Sequence, residues 1–133
     1  MSNNFIPVVG AVVWNSGKVL AAQRKVGTKL GGLWEFPGGK IESRESAKAA
    51  LVREIKEELE AIVDVGEMIC EVDYQYDFAT IRLTTFHCEL VSGDLVLNDH
   101  DDVRWLLPSE LRTVEWAPAD LPTIDILESE VME

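Results

Sequence analysis

Three glutamates, Glu54, Glu57 and Glu58, lie three and four residues apart in a segment of helical periodicity. At roughly 100° per residue their carboxylates fall on one arc of a helix. Like charges at these spacings repel by roughly 0.2–0.5 kcal/mol per pair, so the arrangement needs a reason. The same arc carries Ala47 and Ala50, small enough to let another stretch of backbone come close. Leu51, Val52, Ile55 and Leu59 form a separate apolar stripe, and Ala49, Arg53 and Lys56 face away from it. Two readings fit the acidic arc. One is a solvated, glutamate-rich helix with Arg53 and Lys56 as counter-charges. The other is a set of hard oxygen ligands for Mg²⁺, with Mn²⁺ as the alternative, whose charge would remove the repulsion.

The elements around this helix must position it. Residues 7–14 form an apolar, β-branched run that predicts a strand covered on both faces. Asn15-Ser16-Gly17 reads as a tight turn, and residues 18–24 as the returning arm of a hairpin ending at Arg24. A glycine-containing loop follows, then a short strand at 33–36 that stops at Pro37-Gly38-Gly39. The helix spans about 46–59. Two long strands follow at 62–76, broken near Gly66, and at 79–91, with a turn near Asp77. An acidic loop through Asp94 to Asp102 leads to a strand at 103–106. Pro108 opens a helical turn, 120–127 predicts a last helix, and 128–133 a frayed acidic tail.

The loop before the helix narrows the choice between the two readings. Gly39, five residues, Glu45, seven residues, then Arg53-Glu54-Ile55-Lys56-Glu57-Glu58 resembles the signature box of the Nudix hydrolase family. The box departs from the pattern at its end, where Glu60-Ala61 replaces a glycine and an aliphatic residue. Glycine there takes a left-handed conformation freely, whereas glutamate does so at a cost of about 1 kcal/mol.

The resemblance extends along nearly the whole chain and is nearest to the branch holding MutT and the bacterial CTP pyrophosphohydrolases. The segments 32–42 and 117–122 carry that nearer match. It implies an α/β (α+β) architecture, the Nudix fold, with a mixed sheet between helices. It also implies hydrolysis of a nucleoside triphosphate to a monophosphate and pyrophosphate, by attack on the β-phosphorus. In similar enzymes the metal is held by the positions matching Glu54, Glu57, Glu58 and the backbone carbonyl of Gly38. Glu54 or Glu57 would orient or deprotonate the attacking water, and Asp99 is a further ligand or base. A solvated loop aspartate fits Asp99 equally well.

Glu45 and Arg53 read as supports holding loop against helix, and His100 as a loop residue. Arg24 and Lys40 are candidate phosphate contacts, and Glu35 and Phe36 further substrate-binding positions. Asp120 is the expected contact to the base edge. A carboxylate there accepts hydrogen bonds and suits an exocyclic amine such as that of cytosine; a plain helix N-cap is the competing reading. Trp34, Tyr76 and Phe78 read as base-stacking or core aromatics.

The bulk composition sets outer bounds. A chain of 133 residues with 47% apolar content supports one core, and hence a single domain over 1–133. A formal charge of −12 repels a polynucleotide backbone, so the expected partner is a small nucleotide bridged by a cation. No apolar run reaches the ~18 residues of a membrane span, and no signal-peptide pattern precedes the first strand. Cys70 and Cys88 lack metal-ligand spacing and read as buried free thiols. The expected setting is cytoplasmic, as a monomer or homodimer.

Overall fold

The computed structural model describes residues 4–131. The β-branched run forms β1 (Ile6–Asn15), and Ser16 and Gly17 at φ 54° and 80° turn the chain into β2 (Lys18–Arg24). Two successive positive φ values match the twist of the strands that such a turn joins. Both faces of β1 are covered: Val9, Ala11 and Val13 enter one core cluster and Val12 the other.

The strand expected at 33–36 is the shorter β3 (Trp34–Glu35), and a further strand, β4 (Gly38–Lys40), follows where the strand was expected to stop. Proline interrupts a ladder because it has no N–H to donate. The carbonyl of Pro37 accepts from Ala11 N–H at 2.8 Å, and the chain then pairs Gly38 with Gly10 and Lys40 with Val8. The glycines thus continue the pairing that the sequence reading ended there.

Ser46 caps α1 (Ala47–Leu59), its hydroxyl accepting from Ala49 N–H at 3.1 Å. Leu51, Ile55 and Leu59 are buried as expected, but Val52 is exposed and Ala50 takes its place in the core. The long strands are β5 (Ile62–Gln75) and β6 (Thr80–Ser92). Gly66 does not break β5; the ladder slips between Val65 and Met68 and the strand continues. β7 (His100–Leu106) starts earlier than the expected 103 because its ladder with β2 runs on past an irregularity at Gln23 and Arg24. After a 3-10 turn at Pro118–Asp120, α2 (Leu121–Val131) carries the helix through part of the expected tail; residues 132–133 lie outside the described range.

The main sheet runs β3-β2-β1-β6-β5, with β4 on β1 and β7 on β2. The pairing of β1 with β6 is parallel and the others are antiparallel, so the sheet is mixed. The core on the α1 side holds Leu51, Ile55 and Phe86, and that on the α2 side Trp116, Ile124 and Leu127. The segment before the 3-10 turn is tied to β3 by backbone bonds as well as by packing of Trp116 in the cluster that holds Trp34. Trp34 N–H donates to Glu115 O and Ala117 N–H to Trp34 O, both at 2.8 Å.

A side chain at position 38 would overlap the backbone of Val9 and press on Gly10 Cα. Gly38→Ala is therefore expected to destabilise the chain by on the order of 3 kcal/mol. Urea unfolding of the variant checks this, and a midpoint unchanged from wild type would contradict the close approach of β4 to β1.

Candidate functional site

A cleft of about 380 Å³ opens beside β4, and its walls include Arg24, Glu35, Phe36, Gly38, Lys40 and Asp120. Six of the residues singled out from the sequence therefore come together around one space. Phe36 is buried and packs against Trp116 with centroids 4.6 Å apart and the rings tilted by 37°, so it forms the floor. Trp34 belongs to the core, whereas Tyr76 and the exposed Phe78 line the cleft with rings nearly parallel, 4° apart.

Behind β4 stands the acidic arc. Gly39 lets the β4 backbone lie against the Glu54 carboxylate, because a Cβ there would overlap it. Glu58 is only 8% exposed, and its Oε1 is buried with no hydrogen-bond partner. Burial pushes its carboxyl up to about 9; the charges of Glu35, Glu54 and Asp99 add to this, and the Gly38 backbone offsets part of it. Glu54 is also raised, first by burial and then by Glu57, Glu42 and Asp99, with Arg53 opposing. Glu57 stands apart: its side chain is 58% exposed and pairs with Arg53 Nη1 at 3.2 Å. Asp99 is exposed on the loop before β7, within electrostatic reach of Glu54 and Glu58. Among the described residues, no three His, Cys, Asp or Glu side chains are already gathered as a metal cage.

Arg53 and Glu45 do hold loop to helix. The guanidinium grips Glu45 through two bonds of 2.6 and 2.9 Å and also donates to Lys40 O at 3.1 Å. Glu45 accepts from Glu42 N–H as well, and Arg53 with this bond lowers its carboxyl to about 2.

A second anchored carboxylate was not foreseen as such. Glu35 receives Arg24 Nη1 at 2.9 Å and His100 Nε2 at 2.9 Å, one on each oxygen. His100, expected in a loop, is a buried strand residue whose Nδ1 has no partner. Asp99-His100-Asp101-Asp102 carries no apolar alternation that would mark a strand. Asp120 is also buried, at the last position of the 3-10 turn and directly before the first residue of α2. Burial and the Glu35 charge raise its carboxyl well above the ordinary range, against a Phe36 backbone bond and Arg24. The fold thus disfavours its ionised form.

A family model described as the NUDIX domain matches residues 4–125. The CTP pyrophosphohydrolase of Escherichia coli (strain K12) is 38% identical over 120 residues, covering 90% of this chain and 89% of that protein. The putative 8-oxo-dGTP diphosphatase 2 of Mycobacterium tuberculosis (strain ATCC 25618 / H37Rv) is 38% identical over 123 residues, covering 88% and 83%. Among solved structures, the DNA mismatch repair protein MutT (family Nudix hydrolase) from methicillin-resistant Staphylococcus aureus 252 superposes with a TM-score of 0.79. It is 40% identical and covers 97% of this chain and 99% of its own.

The buried Glu58 sets a pH dependence for the metal-free protein. Its carboxyl titrates near 4.5 when unfolded and about 9 when folded. Between these values the folded chain keeps a proton that the unfolded chain has released, so stability falls as pH rises through that window. Glu58→Gln removes this titration. In EDTA, urea midpoints measured between pH 4.5 and about pH 9 should decline more steeply for wild type than for the variant. Equal slopes would show that Glu58 is not buried as a neutral acid.

Proposed function

This chain belongs to the NUDIX domain family, and from that premise we propose that it is a Mg²⁺-dependent nucleoside triphosphate pyrophosphohydrolase. It is a Nudix hydrolase with relatives named as nucleotide pyrophosphohydrolases, and hydrolases of this family generally use divalent cations. The observation that carries the metal reading is the Glu58 carboxyl. Its Oε1 is buried without a partner, in a field of neighbouring acids. Such an atom is unfavourable in the protein alone and is satisfied by a hard cation with oxygen ligands.

Glu54, Glu57, Glu58 and the Gly38 carbonyl would hold that cation, with Mn²⁺ as a substitute for Mg²⁺. A cation bound there would neutralise the phosphate oxygens and lower the pKa of water. Glu57 reaches the site by leaving its exposed pairing with Arg53. Glu54, which desolvation makes more basic than an ordinary carboxylate, is suited to orient the attacking water or take its proton. Asp99, facing the same acids from the loop, is the other candidate for this role. Arg24 and Lys40 border the cleft and supply positive charge to the phosphate chain.

The far wall reads the base. Asp120 offers a buried carboxyl oxygen as acceptor to an exocyclic amine such as that of cytosine. Glu35 lies between this wall and the acids, its charge felt by both Asp120 and Glu58. Phe78 and Tyr76 offer aromatic faces to the base. We therefore favour cytidine-type or modified nucleotides, with oxidised purine triphosphates as the close alternative and nucleotide-pool sanitation as the role. Free Cys70 and Cys88 support a cytoplasmic setting.

Release of pyrophosphate rather than phosphate across a nucleotide panel, with and without Mg²⁺, tests the reading; no turnover of any triphosphate would overturn it. Glu57→Gln should lower kcat by roughly a hundredfold or more while leaving the circular dichroism spectrum and urea midpoint near wild type. Near-normal turnover would remove Glu57 from the reaction. Asp120→Asn should change the ranking of bases by kcat/KM more than it changes kcat on the best substrate, as a steady-state comparison of the panel will report.

A further inference from the structure

The last four carbonyls of an α-helix have no partner within it. α1 satisfies all four without the glycine that its pattern lacks. Glu60 adopts the left-handed conformation, φ 53° and ψ 39°, and donates its N–H to Lys56 O at 3.0 Å. The other three are met from the loop before β7. Asn98 Nδ2 donates to Glu57 O at 2.8 Å, Asn98 N–H to Glu58 O at 3.0 Å, and Val96 N–H to Leu59 O at 3.0 Å. Asn98 Nδ2 also donates to Glu60 Oε2 at 3.1 Å. On its other side Asn98 O accepts from Lys25 Nζ at 3.3 Å.

Asp99 itself makes no side-chain hydrogen bond among the described residues, and it is exposed. Its place is set by what precedes and follows it. His100 is buried and bonded to Glu35; Asn98 is bonded to the turn of α1 that carries Glu57 and Glu58. We propose that Asn98, braced by the Glu60 carboxylate, is a positioning residue that fixes Asp99 against the acids of α1. The proposal rests on the reading above that Asp99 takes part in the reaction. A glycine at 60 would reach the left-handed conformation without strain, but it would offer no acceptor to Asn98. Glu60 is thus the second half of a side-chain brace at a position where the family pattern relies on backbone freedom.

The test compares wild type with N98A, D99N, N98A/D99N and E60G. Steady-state kcat and KM are measured on the triphosphate turned over fastest, together with urea midpoints and hydrogen exchange of the metal-free proteins. N98A should lower kcat roughly tenfold through displacement of Asp99, with KM within about twofold. The N98A/D99N double variant should be no slower than D99N, because both changes act through one carboxylate. E60G should raise the urea midpoint, by relieving the left-handed glutamate, and yet lower kcat. In the metal-free protein, N98A should speed amide exchange across residues 96–100.

Wild-type kcat in N98A, beside an impaired D99N, would overturn the proposal and leave the role of Asp99 standing. Losses that multiply in the double variant would also overturn it. Wild-type kcat in D99N would remove Asp99 from the reaction and the proposal with it, and full turnover in E60G would remove the brace. If no triphosphate is hydrolysed at all, the assigned activity fails separately. Unchanged exchange in N98A would still refute the hold on the loop.

Discussion

The arrangement depends on one guanidinium. Arg53 sits on the helix whose acids crowd the cleft, and its donors are divided between Glu45, Lys40 O and Glu57. It is the cation that opposes the repulsion on Glu54, and it also fastens the glycine-bearing strand beside the helix. Without it, β4 would be held to α1 chiefly by packing, while the charges on the helix would push outward. The bidentate grip on Glu45 resists this because a planar fork matched to a carboxylate loses little freedom on binding. One residue therefore sets both the spacing of strand and helix and the electrostatic balance between them.

That balance is deliberately incomplete in physical terms. Glu58 and Asp120 are buried carboxyls whose ionised forms the fold disfavours, and Glu35 contributes to both shifts. Glu35 itself is stabilised by Arg24 and His100 on its two oxygens. The interior thus holds one hydrogen-bonded acid beside two whose ionised forms are disfavoured. Carboxyls poised in this way are typical of sites that bind cations or transfer protons, and the surrounding core carries the cost of maintaining them.

Much of this was readable before any coordinates. Period and spacing placed the arc of Glu54, Glu57 and Glu58, the strands on either side, and the hairpin at Ser16-Gly17, because each is a local pattern. The misjudged features are non-local. Pro37-Gly38-Gly39 looks like the end of a strand until β1 offers Gly10 as a partner. His100 looks like loop until β2 extends its ladder. Val52 completes an apolar stripe in projection, yet Ala50 faces the sheet. The closure of three α1 carbonyls by residues 96–98 involves a separation in sequence that no helix-capping rule spans. The irregular Glu60 was visible as an exception, but its partner Asn98 was not.

The wall carrying Asp120 hangs from β3 through the bonds between Trp34 and residues 115 and 117. Those bonds are made by main-chain atoms, so they are indifferent to which side chain stands at 120. Glu35, on the same short strand, acts on both Asp120 and Glu58. The fold therefore works as a fixed mount with an exchangeable fitting. A substitution at 120 would leave these main-chain bonds in place while changing the charge balance that Asp120 shares with Glu35, so mount and fitting answer to different residues.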